Sequence, residues 1–181
     1  GDFGMSVAKG FRQLKREWPR LTSHATISDF LVDSSKIIME HCGGASGPIW
    51  GFAFLEAGLL AKDKVTLSLS DFAGLMQAAV TAIQDTGERS FGRGAAVGDK
   101  TLIDALAPCA DALSKEAENG AAIVPALLAG AAAAVSGAKA TENMVARMGR
   151  AGVVGKRSLG HPDAGAHALG VLFTAIAQAM Q

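Results

Sequence analysis

The residues best suited to chemistry form a glycine-rich turn, Gly43-Gly44-Ala45-Ser46-Gly47-Pro48. Glycine lets the backbone approach a ligand closely, serine favours the N-cap of a helix, and proline favours the first helical position. Such a turn leaves backbone N–H groups free at the positive end of the next helix, where an anion can bind. The turn therefore predicts a phosphate-binding site, with an ordinary capped junction between two helices as the alternative.

Two further glycine-rich segments lie at 92–101 and 149–165. The first ends in Gly98-Asp99-Lys100-Thr101, which resembles a Walker A loop, but Asp99 separates the lysine from the glycine and no strand is predicted before it. We therefore reject a Walker A site. The second segment is long enough to be a functional lid or a disordered loop, and its arginines and lysine could neutralise phosphate charge.

Composition limits the classes of function. The 181 residues are 49% hydrophobic, enough for one domain with a substantial core. Seventeen basic residues balance seventeen acidic residues, so charge predicts neither nucleic acid nor a membrane as a partner. Cys42 and Cys109 are far apart and are predicted to be free thiols in a reducing cytoplasm. The apolar run 121–138 is rich in Ala and Gly, so we predict an interior helix and not a membrane span.

Apolar residues recur at helical spacing through most of the chain, and the one β-like fragment, 65–67, is too short to seed a sheet. A capping box at Ser68 and Asp71 begins one of the helices, and Pro108 is expected to kink another. The predicted helices are 5–20, 26–41, 48–62, 68–87, one that opens at 99–101, 121–137, 141–148 and 165–179. This pattern predicts an all-α antiparallel bundle or barrel.

In order and spacing, these motifs resemble the nucleotide-binding L subunit, or L domain, of dihydroxyacetone kinases. The motifs that carry the resemblance are 43–48, 98–101 with Asp104, 149–151, 157–161 and 163–166. It covers essentially the whole chain and implies a single nucleotide-binding L-type domain over residues 1–181. The family fold is an antiparallel barrel of eight helices, and this chain looks like seven of them. The resemblance therefore implies a domain truncated at its N-terminus, with the first helix missing.

The family binds two magnesium ions through three aspartates, two of them in a short Gly-Asp-x-Asp-x-Gly motif. Here Asp2, in Gly1-Asp2-Phe3-Gly4, matches the third aspartate, and the other two would precede residue 1. Carboxylate oxygens suit Mg²⁺ and hold it against nucleotide phosphates. Asp2 is thus the metal ligand that the resemblance implies for this chain.

The resemblance also implies the residues that bind ADP or ATP. Ala45 and Ser46 would contact phosphate, and Gly94 and Leu102 would line the adenine pocket. The full set is Phe3, Gly4, Ser6, Ala45, Ser46, Gly94, Leu102, Arg150, Asp163, Ala164 and Gly165. Arg150 matches an arginine near the transferring phosphate, so we predict a catalytic role for it.

The implied function is half of a kinase, in which this subunit binds nucleotide and magnesium and passes a phosphoryl group to dihydroxyacetone held covalently by a partner K subunit. The glycine turn and the 157–161 motif favour the phosphotransferase-system form, in which ADP stays bound and a phosphohistidine protein recharges it. Three alternatives stay open: an ATP-dependent kinase for dihydroxyacetone, a kinase for a related keto-sugar such as erythrulose, and a nucleotide-sensing module that reports to a transcription regulator.

The four histidines are given no catalytic role. In the resembling family the substrate is bound through a histidine of the K subunit, so we predict structural roles for His161 and His167. His24 and His41 show no metal-ligand spacing with other residues, which argues against a zinc site.

Overall fold

The computed structural model describes residues 3–181, except for the side chains of Phe3, Ser90, Phe91 and Arg150. Within that range the chain is helical and contains no strand, which confirms the predicted all-α class. The helices are α1 (Phe3–Arg16), α2 (Trp18–Leu21), α3 (Ile27–His41), α4 (Ser46–Ala61), α5 (Leu69–Phe91), α6 (Ile103–Glu118), α7 (Ile123–Ala140), α8 (Gly149–Gly152) and α9 (Ala164–Ala179). Short 3₁₀ turns lie at Thr141–Asn143 and Gly155–Ser158.

The chain divides into two compact units, residues 1–86 and 87–181, and α5 continues across the division. In the first unit α3 and α4 pack closely, and α1 packs on α3. The contact between α1 and the end of α3 is so tight that an ideal Cβ on Gly10 would lie 2.2 Å from Sγ of Cys42. One buried cluster of this unit contains Ala57, Ala61 and Leu75, with Ile27, Leu31 and Leu67 against it.

Capping residues explain where several helices of the first unit begin. Thr26 is the N-cap of α3 and accepts a 3.0 Å hydrogen bond from the backbone N–H of Asp29, as predicted for a helix over 26–41. The capping box before α5 is also confirmed, because Ser68 and Asp71 exchange backbone-to-side-chain bonds of 3.0 and 3.1 Å.

Two helices of the first unit differ from their predicted bounds. The single helix predicted over 5–20 is wrong, since α1 ends at Arg16 and α2 begins at Trp18 with Pro19 in its first turn. Proline has no N–H to continue α1 but is well suited to the first turn of a new helix. The predicted end of α5 near Gly87 is also wrong, because the helix runs on to Phe91.

In the second unit α7 packs against both α6 and α9. Small residues allow the close approach: an ideal Cβ on Gly137 would lie only 1.9 Å from the carbonyl oxygen of Asp104, and one on Gly170 would lie 3.3 Å from Val135. The prediction that α7 is interior is wrong for much of its surface. Only 33% of the apolar 18-residue stretch within 123–143 is buried, and Leu128 is 41% exposed. Residues 123–143 are long and apolar enough to cross a membrane by length and composition, and in the described chain this is the one such helix.

The helix predicted over 141–148 is absent; only the Thr141–Asn143 turn forms there. Tertiary hydrogen bonds occupy the backbone that a helix would need. The carbonyl oxygen of Met144 accepts from the Lys100 ammonium, and the N–H of Ala146 donates to the Ser158 hydroxyl. Helical propensity is therefore overridden by tertiary contacts in this segment.

Candidate functional site

The glycine turn at 43–48 joins α3 to α4 in the first unit. Gly44 adopts a positive φ of 60°, and Ala45 is the N-cap of α4, with Ser46 as the first helical residue. The prediction that Ser46 caps the helix is therefore wrong by one position, and Pro48 stands third in the helix and not first. Glycine accounts for the difference, because Gly44 turns the chain directly before Ala45.

The N-terminus of α4 presents donors without a side-chain cap. Ala45 has no side chain that could accept from the first turn. The first N–H groups of an α-helix have no acceptor within the helix, so those of Ser46 and Gly47 are available to an anion. Residues 43–45 are exposed and Ser46 is half-buried, so a ligand can reach this end of the helix.

Gly47 holds that end of α4 against α3. An ideal Cβ on Gly47 would lie 2.9 Å from the carbonyl oxygen of Cys42 and 3.2 Å from that of Met39. A larger residue would push α4 away from α3, because backbone atoms cannot move aside as a flexible side chain can. The position of the Ser46 N–H group thus depends on glycine at 47.

Ser6 of α1 lies beside the same turn. An ideal Cβ on Gly43 would stand 3.5 Å from Oγ of Ser6. The first unit therefore brings together Ser6, Ala45 and Ser46, which were predicted to bind nucleotide. Gly4 is exposed in the first turn of α1, with no heavy atom within 4 Å of an ideal Cβ. Asp2 and the side chain of Phe3, two other predicted site groups, lie outside the described residues.

In the second unit, Asp104 closes the turn before α6. Its carboxylate is 1% exposed and accepts bonds from the N–H groups of Gly98, at 2.5 Å, and Thr101, at 2.7 Å. Gly98 has a φ of 100°, which L-residues rarely adopt. These bonds fix Leu102, the N-cap of α6 and a predicted adenine-pocket residue, which is 9% exposed.

The segment that contains Gly94 is held by an ion pair. Arg93 donates to both carboxylate oxygens of Asp99, at 2.5 and 2.9 Å, and also to the carbonyl oxygen of Gly94 at 3.2 Å. The Arg93 guanidinium lowers the pKa of Asp99, against the opposing effect of burial. Bidentate pairs of this kind fix geometry as well as charge. Gly94 is thereby tied to the turn that carries Leu102.

Leu102 also contacts the start of α9. An ideal Cβ on Gly165 would lie 3.0 Å from Cβ of Leu102. Asp163 is the N-cap of α9 and accepts from the N–H of Ala166 at 2.9 Å, while its own N–H donates to Thr141 Oγ1 at 2.8 Å. Burial raises the pKa of Asp163, and the charge of Asp104 raises it further.

The second unit thus places Leu102, Asp163 and Gly165 together. Ala164, between Asp163 and Gly165 in the chain, is the exposed first residue of α9. Arg150 lies in α8, but its side chain is outside the described part of the structure, so its catalytic role stays a prediction.

The described residues give no metal cluster: no group of three or more His, Cys, Asp or Glu could hold an ion there. His24 bonds to Asp33 at 3.0 Å, and His161 and His167 are exposed. Both cysteines are buried free thiols, as predicted. The predicted magnesium ligand, Asp2, lies outside the described residues, so its role stays a prediction.

The family model of the DAK2 domain matches residues 1–178, across both units. The chain belongs to the DAK2 domain family. The resemblance stated from the motifs is thereby confirmed, and it rests on nearly the full length of this DAK2 domain.

Two relatives and one solved structure are similar to this DAK2 domain. The ADP-binding subunit DhaL of PEP-dependent dihydroxyacetone kinase 2 from Listeria innocua is 30% identical over 97% of this chain and 79% of its own length. L-erythrulose 1-kinase from Mycolicibacterium smegmatis is 32% identical over 98% of this chain but only 30% of its own length. The crystal structure of dihydroxyacetone kinase from C. freundii matches with a TM-score of 0.71 and 22% identity, covering 97% of this chain and 28% of that one. This DAK2 domain therefore shares the fold of part of a dihydroxyacetone kinase.

Proposed function

We propose that this DAK2 domain is the ADP- or ATP-binding subunit of a dihydroxyacetone kinase. It would act with a K subunit that holds dihydroxyacetone covalently, and ADP would stay bound as a coenzyme recharged by a phosphohistidine protein of the phosphotransferase system. The Listeria innocua relative, named as the ADP-binding subunit of a PEP-dependent enzyme and matched over 79% of its length, favours this form.

The observation that carries nucleotide binding is the uncapped start of α4 beside Ser6. Exposed glycines, free N–H groups of the first helical turn and two serine hydroxyls, on Ser6 and Ser46, form a site suited to phosphate oxygens. In the second unit, the contact between Leu102 and Gly165 gives an apolar wall suited to adenine.

Mg²⁺ belongs to the proposal through Asp2. When bound, the metal would neutralise phosphate charge during phosphoryl transfer. Among this chain's own residues, Arg150 is proposed to stabilise charge on the transferred group, and Asp163 to hold the first turn of α9 against Leu102. Replacing Asp2 with Asn should weaken ADP binding in the presence of Mg²⁺ and leave binding in EDTA unchanged.

The direct test is a reconstituted assay. The chain is titrated with ADP and Mg²⁺ by calorimetry, and turnover of dihydroxyacetone is then measured with a purified K subunit. Two donors are compared in parallel: ATP, and a phosphohistidine protein charged with phosphoenolpyruvate. Turnover with the phosphohistidine donor and no exchange of ADP with solution supports the phosphotransferase-system form, whereas no ADP binding at all contradicts the proposal.

A keto-sugar kinase is the second candidate, because L-erythrulose 1-kinase contains a segment 32% identical to this chain. It would use ATP that exchanges with solution. The same assay separates the two candidates. A keto-sugar kinase would phosphorylate erythrulose in place of dihydroxyacetone, and ATP would be its effective donor. ADP binding without turnover on either sugar, with either donor, would favour a nucleotide-sensing module.

A further inference from the structure

Lys100 is a buried lysine in an unusual backbone conformation. It is 3% exposed and has a φ of 62°, a conformation that glycine adopts far more easily. Its ammonium donates to two backbone carbonyl oxygens, that of Met144 at 3.1 Å and that of Ser158. A buried ammonium with these bonds differs from the phosphate-binding lysine of a P-loop, which must reach out to its ligand.

The two acceptors stand at either end of the segment 144–158, which contains α8 and Arg150. Two further hydrogen bonds hold the ends of this segment. The N–H of Ala146 donates to the Ser158 hydroxyl at 2.9 Å, and the N–H of Arg147 donates to the carbonyl oxygen of Asp99 at 3.1 Å. The segment is therefore a loop whose ends meet at one ammonium group.

The charge of Lys100 also reaches one carboxylate of the second unit, that of Asp163. Asp104, 1% exposed, closes the turn that carries Leu102, and Asp163 caps α9. Burial raises the pKa of Asp163, and the charge of Lys100 opposes that rise. A buried ammonium is costly unless hydrogen bonds and opposite charge compensate it, and here both are present.

We infer that Lys100 is a positioning residue, which fixes the segment bearing Arg150 relative to the turn bearing Leu102 and the cap of α9. The catalytic part of this inference rests on the proposed kinase function. The anchoring part does not, because it concerns hydrogen bonds within the chain alone. Lys100 itself is expected to touch neither nucleotide nor substrate.

Hydrogen exchange tests the anchoring directly. Lys100→Met keeps the aliphatic stem and removes the donors, so peptides covering 144–158 should exchange about ten- to a hundredfold faster, as expected for loss of a charged hydrogen bond. Peptides within α3 and α4 should be unchanged. Lys62→Met is the matched control, since Lys62 is exposed and also has a positive φ, of 48°. It should leave exchange of 144–158 as in the wild type.

Ser158→Ala provides a second test that leaves no buried charge unpaired. It removes the hydroxyl that accepts from Ala146 and donates to the carbonyl oxygen of Gly155, at 2.7 Å, but keeps the carbonyl acceptor of Lys100. Faster exchange in the same segment, by a smaller factor, is expected. If Lys100→Met does not fold, Lys100→Gln decides, because its uncharged amide is one bond shorter than the lysine side chain: exchange of 144–158 equal to the wild type overturns the anchoring.

Kinetics test the catalytic part. Under the reconstituted assay, Lys100→Met should lower kcat about tenfold or more while ADP affinity changes by about twofold or less, because misplacing Arg150 affects the transition state most. Lys100→Arg should recover part of the loss. If exchange rises and kcat is unchanged, Lys100 is structural only and the positioning role is withdrawn. If the wild type has no kinase activity but exchange still rises, the proposed function fails while the anchoring stands.

Discussion

Gly165 stands against Leu102 so closely that an ideal Cβ on the glycine would lie 3.0 Å from Cβ of the leucine. This contact joins the first turn of α9 to the N-cap of α6. Both residues were predicted to bind nucleotide, and the structure makes them neighbours. Glycine permits this approach, because a side chain at 165 would meet both Leu102 and the carboxylate of Asp163, 3.1 Å from the ideal Cβ.

Leu102→Ala should weaken ADP binding about tenfold, because it removes apolar surface that the adenine would cover. The matched control is Leu106→Ala, one turn further along α6, where the leucine is 3% exposed in the core. That variant should lower the free energy of unfolding by about 2–5 kcal/mol with ADP affinity nearly unchanged. Calorimetry with ADP and urea denaturation measure the two effects. Equal losses of affinity in both variants would attribute the effect to general destabilisation.

Ser46 and Thr26 give opposite predictions although both stand at helix starts. Thr26→Ala should lower the free energy of unfolding by about 1 kcal/mol, because it removes the cap of α3. Ser46→Ala should cost little stability, since Ser46 does not cap α4, but should weaken ADP binding through the lost hydroxyl. Denaturation and calorimetry on the two variants check this. A stability loss at Ser46 without a change in affinity would favour the ordinary helix junction.

The helical class could be predicted from sequence because apolar spacing and capping residues are local signals. Thr26 and the Ser68–Asp71 box gave helix starts to within a residue. The 141–148 prediction failed because Met144 and Ala146 make their backbone bonds to Lys100 and Ser158, partners that no local pattern reveals. Local signals predict a helix correctly unless residues distant in sequence form hydrogen bonds with its backbone groups.

Only part of the candidate site could be predicted from the sequence. The helix junction at 43–48 followed from glycine and helix-cap chemistry alone, although its cap lies at Ala45 and not Ser46, and phosphate binding there stays a prediction. The resemblance implied nucleotide binding for Leu102 and for Gly165, but their contact was not predicted, because spacing does not report which loops meet. Lys100 was considered only as a P-loop lysine and rejected; its burial and its two carbonyl acceptors required the fold.

The packing of α6 on α7 gives a stability prediction. Gly137→Ala should lower the free energy of unfolding by about 3 kcal/mol, because the added methyl group would meet the carbonyl oxygen of Asp104, 1.9 Å from its ideal position. Gly74→Ala, within α5, is the control, since the atom nearest to its ideal Cβ is Cδ2 of Leu60, 4.0 Å away. That variant should raise stability by about 0.5–1 kcal/mol through helix propensity. Similar effects of the two alanines in thermal denaturation would contradict the close approach of α6 and α7.

Acid stability should depend on Asp33. Hydrogen bonds from Arg20 and then His24 lower the pKa of Asp33 from 3.8 to about 2. A lowered pKa in the folded state gives stability that is fully present above the ordinary pKa and is lost as pH falls towards about 2. The difference in unfolding free energy between the wild type and Asp33→Asn should therefore shrink from about pH 5 to about pH 2. Urea denaturation across that range measures it, with the exposed Asp63→Asn as control. A difference independent of pH would show that the ionised carboxylate of Asp33 is not the cause.

The last prediction separates catalysis from binding at Arg150. If Arg150 meets the phosphoryl group mainly in the transition state, Arg150→Ala should lower turnover with the K subunit about a hundredfold, or about 3 kcal/mol, with little change in ADP affinity. Arg150→Lys should restore only part of the rate, because lysine lacks the planar fork that bonds two phosphate oxygens. Arg157→Ala, in the exposed 3₁₀ turn of the same segment, is the matched control and should retain most activity. Normal turnover of Arg150→Ala with whichever donor supports the wild type would assign Arg150 to the solvated surface and end its catalytic role.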